Sequence, residues 1–101
     1  MLDIRQSDEF ADWLAKLSDK RDRARIANRI ERLRDGNFGD AKSVGQGIVE
    51  LRLHFGPGYR IYLTRRGDAI VILLCGGDKG SQDRDIALAK VLASQIEDHT
   101  P

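Results

Sequence analysis

The chain has 101 residues, enough for one modest hydrophobic core but too few for a second domain with its own core, so a single domain over residues 1–101 is predicted. A content of 41% hydrophobic and 33% charged residues excludes an intrinsically disordered chain. The net charge of +1 identifies no class of partner by itself. No segment approaches the roughly 18 to 20 apolar residues of a membrane span, and residues 1–5 lack the apolar core of a signal peptide, so we expect a cytoplasmic protein without a membrane partner.

Two amphipathic helices are predicted in the first third of the chain, after a short extended segment. Apolar residues recur at helical spacing from Phe10 to Leu17, behind Ser7, whose hydroxyl can cap the helix. A second apolar stripe runs from Ile26 to Leu33, where Ser18 and Asp19 can end the first helix and cap the second, and Gly36 ends it. The two helices together predict a helical hairpin.

Strands follow a glycine-rich segment, residues 35–47, that is typical of a loop. From Ile48 to Phe55 the apolar residues alternate, and the alternation resumes from Tyr59 to Thr64 after a predicted turn at residues 56–58. Residues 69–75 are apolar at both alternating sets of positions, which predicts a strand covered on both faces. Residues 83–97 then predict a C-terminal helix that covers the sheet or engages a partner. The elements in this order indicate an α+β protein.

Positive charge is concentrated in two segments, although the whole chain is nearly neutral. In residues 20–34 and 42–66 the basic residues outnumber the acidic ones. The second helix carries arginines at steps of three or four residues, namely Arg21, Arg25, Arg29 and Arg32. The second segment contributes Lys42, Arg52, Arg60, Arg65 and Arg66. This distribution favours contact with a polyanion or an acidic partner on one face, although a solvated helix face would explain the helical group equally well.

Candidate chemical groups lie on the polar faces of the two alternating strands. The first strand presents Glu50, Arg52 and His54 opposite its apolar set. The second presents Arg60, Tyr62 and Thr64. Paired across a hairpin, these groups would lie within cross-strand reach of one another. Arginine pairs with phosphate oxygens, histidine moves protons near neutral pH, and tyrosine stacks on a base or donates a hydrogen bond, so the face suits a phosphodiester.

The segment Gly76–Ser81 leads from the buried strand into the last helix and allows two interpretations. Its backbone amides and Lys79 could hold an anion near a helix N-terminus. Alternatively, it is a plain connection from the strand to the last helix, in which Ser81 or Asp83 caps the helix. It does not have the spacing of a phosphate-binding P-loop. The single cysteine, Cys75, excludes an intramolecular disulfide, and no metal-ligand spacing is present, so we expect no metal and no cofactor.

A family resemblance is carried by short stretches that extend over nearly the whole chain. In chain order these are Arg32-Leu33, Gly36–Asp40, Glu50–Arg52, Gly56–Tyr62, Leu73–Lys79, Ser81-Gln82 and Asp85-Ile86. Their order and spacing resemble the RelE/ParE superfamily of bacterial toxins, specifically its HigB-like branch of addiction module killer proteins. The resemblance implies a helical hairpin packed on a small antiparallel β-sheet with a C-terminal helix.

The resemblance also implies a function and a partner. It indicates the toxin of a type II toxin–antitoxin pair, a metal-independent mRNA endoribonuclease that acts on mRNA, expected on the ribosome. The family pattern places catalysis on Arg52, Arg60, Tyr62 and Lys79, with His54 as an added candidate, and we assign RNA contacts to Lys42, Arg65 and Arg66. A helix-turn-helix antitoxin is expected to form a hetero-oligomeric complex through Arg21, Arg25, Arg29 and Arg32. The alternatives are a non-enzymatic inhibitor of DNA gyrase and a nucleic-acid-binding module without toxicity.

Overall fold

A computed structural model describes residues 1–98, with the side chains of residues 1–96. The elements are β1 (Asp3–Gln6), α1 (Asp8–Lys16), α2 (Lys20–Arg34), β2 (Ala41–Gly45), β3 (Ile48–Arg52), β4 (Arg60–Arg66), β5 (Ile70–Gly77), a 3₁₀ turn (Lys79–Ser81) and α3 (Gln82–Asp98). The five strands form one sheet in the order β1-β5-β4-β3-β2. Because β1 runs parallel to β5 while the other three pairings are antiparallel, the sheet is mixed. The predicted α+β fold, with a helical hairpin and a C-terminal helix on a small sheet, is confirmed, and the parallel edge strand β1 is an addition to it.

The helix ends confirm the capping pattern expected from the sequence. The Ser7 hydroxyl accepts a hydrogen bond from the Phe10 amide at 3.0 Å, and the Asp19 carboxylate accepts from the amides of Arg21 and Asp22. Both caps satisfy amides that have no partner within the helix. α2 ends at Arg34, two residues before Gly36, which takes the left-handed conformation that favours glycine.

One face of the sheet packs against α1 and α2. Its core is built from fully buried side chains of both helices and of β3, β4 and β5, among them Phe10, Ile26, Leu33, Leu51, Leu53, Ile61, Leu63, Val71 and Leu73. The apolar positions of β3 and β4 therefore point to this side, as the alternation predicted. The helical hairpin supplies the cover that this half of the sheet needs.

The other face of the sheet packs against α3. Ala89, Leu92 and Ala93 of the helix contact a buried cluster on the strands formed by Ile48, Tyr62, Leu74 and Cys75. β5 contributes to both cores, so the expectation of a strand covered on both faces is confirmed. Within residues 1–98, no helix is long and apolar enough to cross a membrane.

The segment predicted as a loop, residues 35–47, contains a strand that the sequence did not indicate. β2 pairs with β3 in antiparallel register, with Lys42 opposite Glu50, but its side chains are almost all exposed. An edge strand held by backbone hydrogen bonds needs no buried side chains, so its sequence carries no apolar alternation. Conversely, β3 ends at Arg52, and residues 53–55 leave the sheet.

We predict that Leu53→Ala lowers the free energy of unfolding by about 2 to 5 kcal/mol, because its side chain is 1% exposed in the core under α1 and α2. Urea denaturation measures the loss. The matched control is Leu88→Ala on α3, whose side chain is 40% exposed and whose loss should change stability by no more than about 0.5 kcal/mol. Equal stability of Leu53→Ala and the wild type would contradict the assignment of this face.

Candidate functional site

Three cationic residues lie at the end of the sheet where β5 leads into α3. Arg52 of β3 and Arg60 of β4 are register partners, and Arg60 is paired in turn with Gly77 of β5. Lys79 lies in the 3₁₀ turn that follows β5. Three elements thus bring predicted site residues to one end of the sheet.

Gly58, in the turn between β3 and β4, lies beside the guanidinium of Arg60 and the alkyl chain of Lys79. A Cβ atom added to Gly58 would lie 3.3 Å from Cβ of Lys79 and 3.5 Å from Nη1 of Arg60. Gly58 also has a φ of +78°, which L-amino acids with side chains rarely adopt. Glycine here therefore keeps the space between Lys79 and Arg60 open while the chain turns.

Arg60 is fixed by its own turn and remains incompletely hydrogen-bonded. Arg60 is 8% exposed, and its Nη1 donates hydrogen bonds to the carbonyl oxygens of Gly58 and Tyr59 at 3.1 Å each. Its buried Nε has no hydrogen-bond partner among the described residues. Because the carbonyls are neutral, the guanidinium keeps its positive charge, which favours an anion nearby.

Glu50 connects the three elements that surround this site. Its buried carboxylate accepts hydrogen bonds from Nε of Arg52 at 3.1 Å, the hydroxyl of Tyr62 at 3.0 Å and Nε2 of Gln82 at 3.1 Å. Burial raises the pKa of Glu50, but the hydrogen bonds from Gln82, Arg52 and Tyr62 and the charge of Arg52 outweigh it and hold this pKa below its ordinary value. The ionised carboxylate thereby orients Arg52 and ties the first turn of α3 to the sheet.

Tyr62 does not face solvent, contrary to the prediction for the polar faces of β3 and β4. It is 0% exposed because α3 packs over it, and burial together with the hydrogen bond to Glu50 raises its pKa well above the ordinary value. The ring cannot stack on a base, and the hydroxyl is held by Glu50. The sequence-based interpretation of Tyr62 as a surface group is wrong, because the C-terminal helix takes this face of the sheet.

His54 lies away from Arg60, beyond the end of β3. Its side chain is 71% exposed, and Nε2 is 2.6 Å from Oδ2 of Asp40. The hydrogen bond to His54 is the main cause of the lowered pKa of Asp40. A carboxylate hydrogen-bonded to one ring nitrogen orients the imidazole. Asp40 was not recognised from the sequence, since nothing but the fold brings it to His54.

Arg29 is a structural residue, although the sequence placed it on an exposed stripe. It is 8% exposed, and its guanidinium donates to the carbonyl oxygens of Phe38 at 2.9 Å, Asp40 at 3.1 Å and Arg52 at 2.8 Å. These bonds join α2 to the segment before β2 and to the end of β3. The expectation that Arg29 is available to a partner is therefore wrong, whereas Arg21, Arg25 and Arg32 are exposed.

The predicted RNA contacts divide between the two ends of the sheet. Lys42 is exposed on β2 opposite Glu50, close to the site. Arg65 and Arg66 lie at the other end of β4, about 17 and about 20 Å along the strand from Arg60. The guanidinium of Arg65 lies over the Phe38 ring and donates to the Asp68 carbonyl. The fold does not bring these two arginines to the candidate site.

The segment from Gly76 to Ser81 is organised by its own side chains. The Asp78 carboxylate accepts from the Gly80 amide at 2.8 Å, and the Ser81 hydroxyl accepts from the Asp78 amide at 3.2 Å. These amides are therefore occupied, and the prediction of a backbone anion cradle is not supported. The structure has a capping turn here: Asp78 caps the 3₁₀ turn, and Ser81 completes the capping box through its hydroxyl.

Two further residues of the site were missed by the sequence analysis. Gln82 is the donor that connects α3 to Glu50. Asp85 is 6% exposed and accepts a hydrogen bond from the Ser81 hydroxyl, while a Cβ atom at Gly77 would overlap its carboxylate. The spacing of Ser81 and Asp85, one helical turn apart, was the available signal for their contact.

The thiol of Cys75 is kept protonated by its surroundings. Burial, and to a smaller extent the charge of Asp85, raises the pKa of Cys75 to about 12.

We predict that, as the pH falls below about 4.5, the unfolding free energy of the wild type falls more steeply than that of Glu50→Gln. The pKa of Glu50 is lower in the folded state than its ordinary value of 4.5. Its carboxylate therefore stabilises the fold fully above that value, and this contribution is lost as the pH falls through the folded pKa. Urea denaturation over a pH series provides the comparison.

The control for this measurement is Asp12→Asn, which removes an exposed carboxylate on α1 without touching the network. Its profile should follow that of the wild type. If Glu50→Gln and the wild type have parallel profiles, Glu50 is not held as a buried carboxylate by its three donors.

Comparison with known proteins agrees with this fold and defines the family. Residues 12–94 match the model of the phage-derived Gp49-like protein family (DUF891). An uncharacterized protein of Haemophilus influenzae is 52% identical over 95 residues, which cover 94% of this chain and 96% of that protein. In structure, the chain is similar to RelE in the crystal structure of the intact Escherichia coli RelBE toxin–antitoxin complex, with a TM-score of 0.63, 16% identity, and coverage of 77% of this chain and 96% of that one. The protein thus has a RelE-like fold and belongs to the Gp49-like family.

Proposed function

We propose that this protein is the toxin of a type II toxin–antitoxin pair and that it cleaves RNA without a metal ion. The observation that carries the proposal is the convergence of Arg52, Arg60 and Lys79 at one end of a RelE-like sheet. Preorganised cations of this kind stabilise the negative charge that develops on a phosphate during phosphoryl transfer. The proposed assignment to the HigB-like branch rests on the sequence resemblance alone.

In the proposed reaction, the 2′-hydroxyl of the RNA attacks the adjacent phosphorus. The new bond closes a 2′,3′-cyclic phosphate while the bond to the 5′ oxygen breaks, and the proton lost by the 2′-hydroxyl is balanced by one gained by the leaving 5′ oxygen. Arg52 and Arg60 would stabilise the phosphate charge, and Lys79 would neutralise the leaving side. The sequence predicted Tyr62 and His54 as candidates for proton transfer. Since Tyr62 is buried, His54 is the one that remains.

The geometry of Arg52 supports its role on the phosphate. Glu50 accepts a hydrogen bond from Nε of Arg52, which orients the Arg52 side chain. This bond does not involve the two terminal nitrogens of the guanidinium. The Arg52 side chain is 32% exposed, so a substrate can reach it. Arg60→Ala is a less specific test of phosphate binding, because it also removes both hydrogen bonds from Arg60 to the carbonyl oxygens of the turn. Arg52 is therefore the sharper position for a test.

We expect Arg52→Ala to slow RNA cleavage about 10²–10³-fold, as the loss of one preorganised charge does at other sites, and to relieve growth inhibition on induction. Growth and the mapping of RNA 5′-hydroxyl ends are measured together. Arg5→Ala is the matched control, because it removes an arginine of 60% side-chain exposure on β1 and should leave both readouts unchanged.

Full toxicity of a folded Arg52→Ala protein would remove this residue from the active surface. DNA damage markers without new RNA ends in cells expressing the wild type would instead favour inhibition of DNA gyrase. Absence of growth inhibition would favour a nucleic-acid-binding module.

An antitoxin is proposed as the partner of the exposed basic side of α2. Arg21 and Arg25 are exposed one helical turn apart, and Arg32 continues the stripe, so an acidic surface can face all three. The structurally similar RelE chain comes from a toxin–antitoxin complex, which supports a partner of this class. We further propose that the partner is a helix-turn-helix protein encoded beside this gene and that the target mRNA lies on the ribosome.

Reversing the charges of Arg21 and Arg25, as Arg21→Glu with Arg25→Glu, should weaken binding of the antitoxin, and more so at low salt, because opposite charges attract less strongly when screened. Calorimetry at two salt concentrations measures the change. The control is Arg5→Glu with Lys16→Glu, an equal charge change away from α2. Unchanged affinity of the α2 double variant at both salt concentrations would place the antitoxin on another surface.

A further inference from the structure

A cationic groove runs between α2 and the chain that follows β3. It consists of two adjoining depressions that share Arg29, Arg32 and His54. One extends along α2 to Arg25 and Phe55, and the other reaches Gly39, Asp40 and Arg52. Because Arg52 also belongs to the candidate site, the groove begins where that site ends.

The lining of the groove is strongly positive. Its ionisable residues are Arg25, Arg29, Arg32, Arg52, His54 and Asp40, so one acid stands among five basic residues in the described lining. The carboxylate of Asp40 is already engaged by His54. Arg29 is bound by backbone carbonyls, which leave its charge uncompensated, and its buried Nε has no hydrogen-bond partner in the described part of the chain. The positive field of the groove is therefore built into the fold.

The dimensions of the groove fit a short length of single-stranded nucleic acid. Arg25 and Arg32 are two helical turns apart, about 11 Å along α2. A stacked strand advances about 3.4 Å per nucleotide, so the two arginines span about three nucleotides. The guanidinium of Arg25 lies 4.0 Å from the centre of the Phe55 ring, which holds it at the end of the groove, while Arg32 is exposed in the middle.

We propose that this groove binds the phosphate backbone of the RNA strand that enters the candidate site, with Arg25 and Arg32 each contacting a phosphate. The inference rests on the proposed action on RNA and adds the path of the strand. An RNA held at Arg52 continues directly into the groove, because Arg52 lies on both surfaces. An antitoxin on the exposed side of α2 would then close the same path.

The experiment measures binding of a short 2′-O-methyl oligoribonucleotide, which cannot be cleaved, by fluorescence anisotropy over a series of salt concentrations. Each phosphate neutralised on a single strand contributes about 0.7 to the slope of log affinity against log salt. Arg25→Ala with Arg32→Ala should reduce the slope by about 1.4 and weaken binding. Arg25→Lys with Arg32→Lys should restore most of the slope, because the charges are kept.

The control pair Arg5→Ala with Lys16→Ala removes two exposed charges elsewhere and should keep the wild-type slope. Circular dichroism melting confirms that each variant is folded at the temperature of the titration. A wild-type slope in the Ala pair, or an equal loss in the control pair, would overturn the proposal. An unchanged RNA slope with weaker binding of polyglutamate would overturn it in favour of an acidic protein partner.

These outcomes are separate from the test of RNA cleavage. Loss of slope in the Ala pair together with no new RNA ends in cells would support the groove and contradict the nuclease. New RNA ends together with an unchanged slope would support the nuclease and contradict the groove.

Discussion

The buried carboxylate of Glu50 is the interaction on which the arrangement of the site depends. It joins β3, β4 and α3 through donors on Arg52, Tyr62 and Gln82. A buried charge is stable only when it is paired and hydrogen-bonded, and these three donors stabilise the ionised carboxylate. Because Gln82 is the first residue of α3, the same bonds fix the 3₁₀ turn that carries Lys79. One carboxylate thus sets the relative positions of Arg52 and Lys79.

Helices cover both faces of the sheet, and each face contributes to a separate hydrophobic core. α1 and α2 complete one core, and α3 completes the other with Tyr62 at its centre. The proposed functional surfaces are the end of the sheet and the groove beside α2, where backbone carbonyls hold Arg60 and Arg29 and Glu50 holds Arg52. The proposed site is therefore a rim of the sheet, in contrast to the open face that the alternation of β3 and β4 suggested.

The sequence predicted those parts of the fold that depend on local chemistry. Ser7 and Asp19 cap helices because their side chains reach nearby amides, and the apolar alternation correctly assigned Leu51 and Leu53 to one core. It did not predict β2, whose exposed side chains carry no pattern, or the parallel pairing of β1 with β5. The roles of Tyr62 and Arg29 were missed for another reason. Whether a polar side chain is buried depends on which distant element packs over it, and α3 and the segment before β2 decide this for Tyr62 and Arg29.

The central claim is that phosphate binds at the rim formed by Arg52, Arg60 and Lys79 and in the groove beside α2. Amide chemical-shift mapping by NMR, with the uncleavable oligoribonucleotide added to the wild-type protein, tests it most directly. The account predicts the largest shifts at Gly58, Arg60 and Lys79 and along the groove from residue 25 to residue 32, with small shifts on β1 and α1. Shifts confined to β1 and α1, or to the far end of β4 at Arg65 and Arg66, would contradict it.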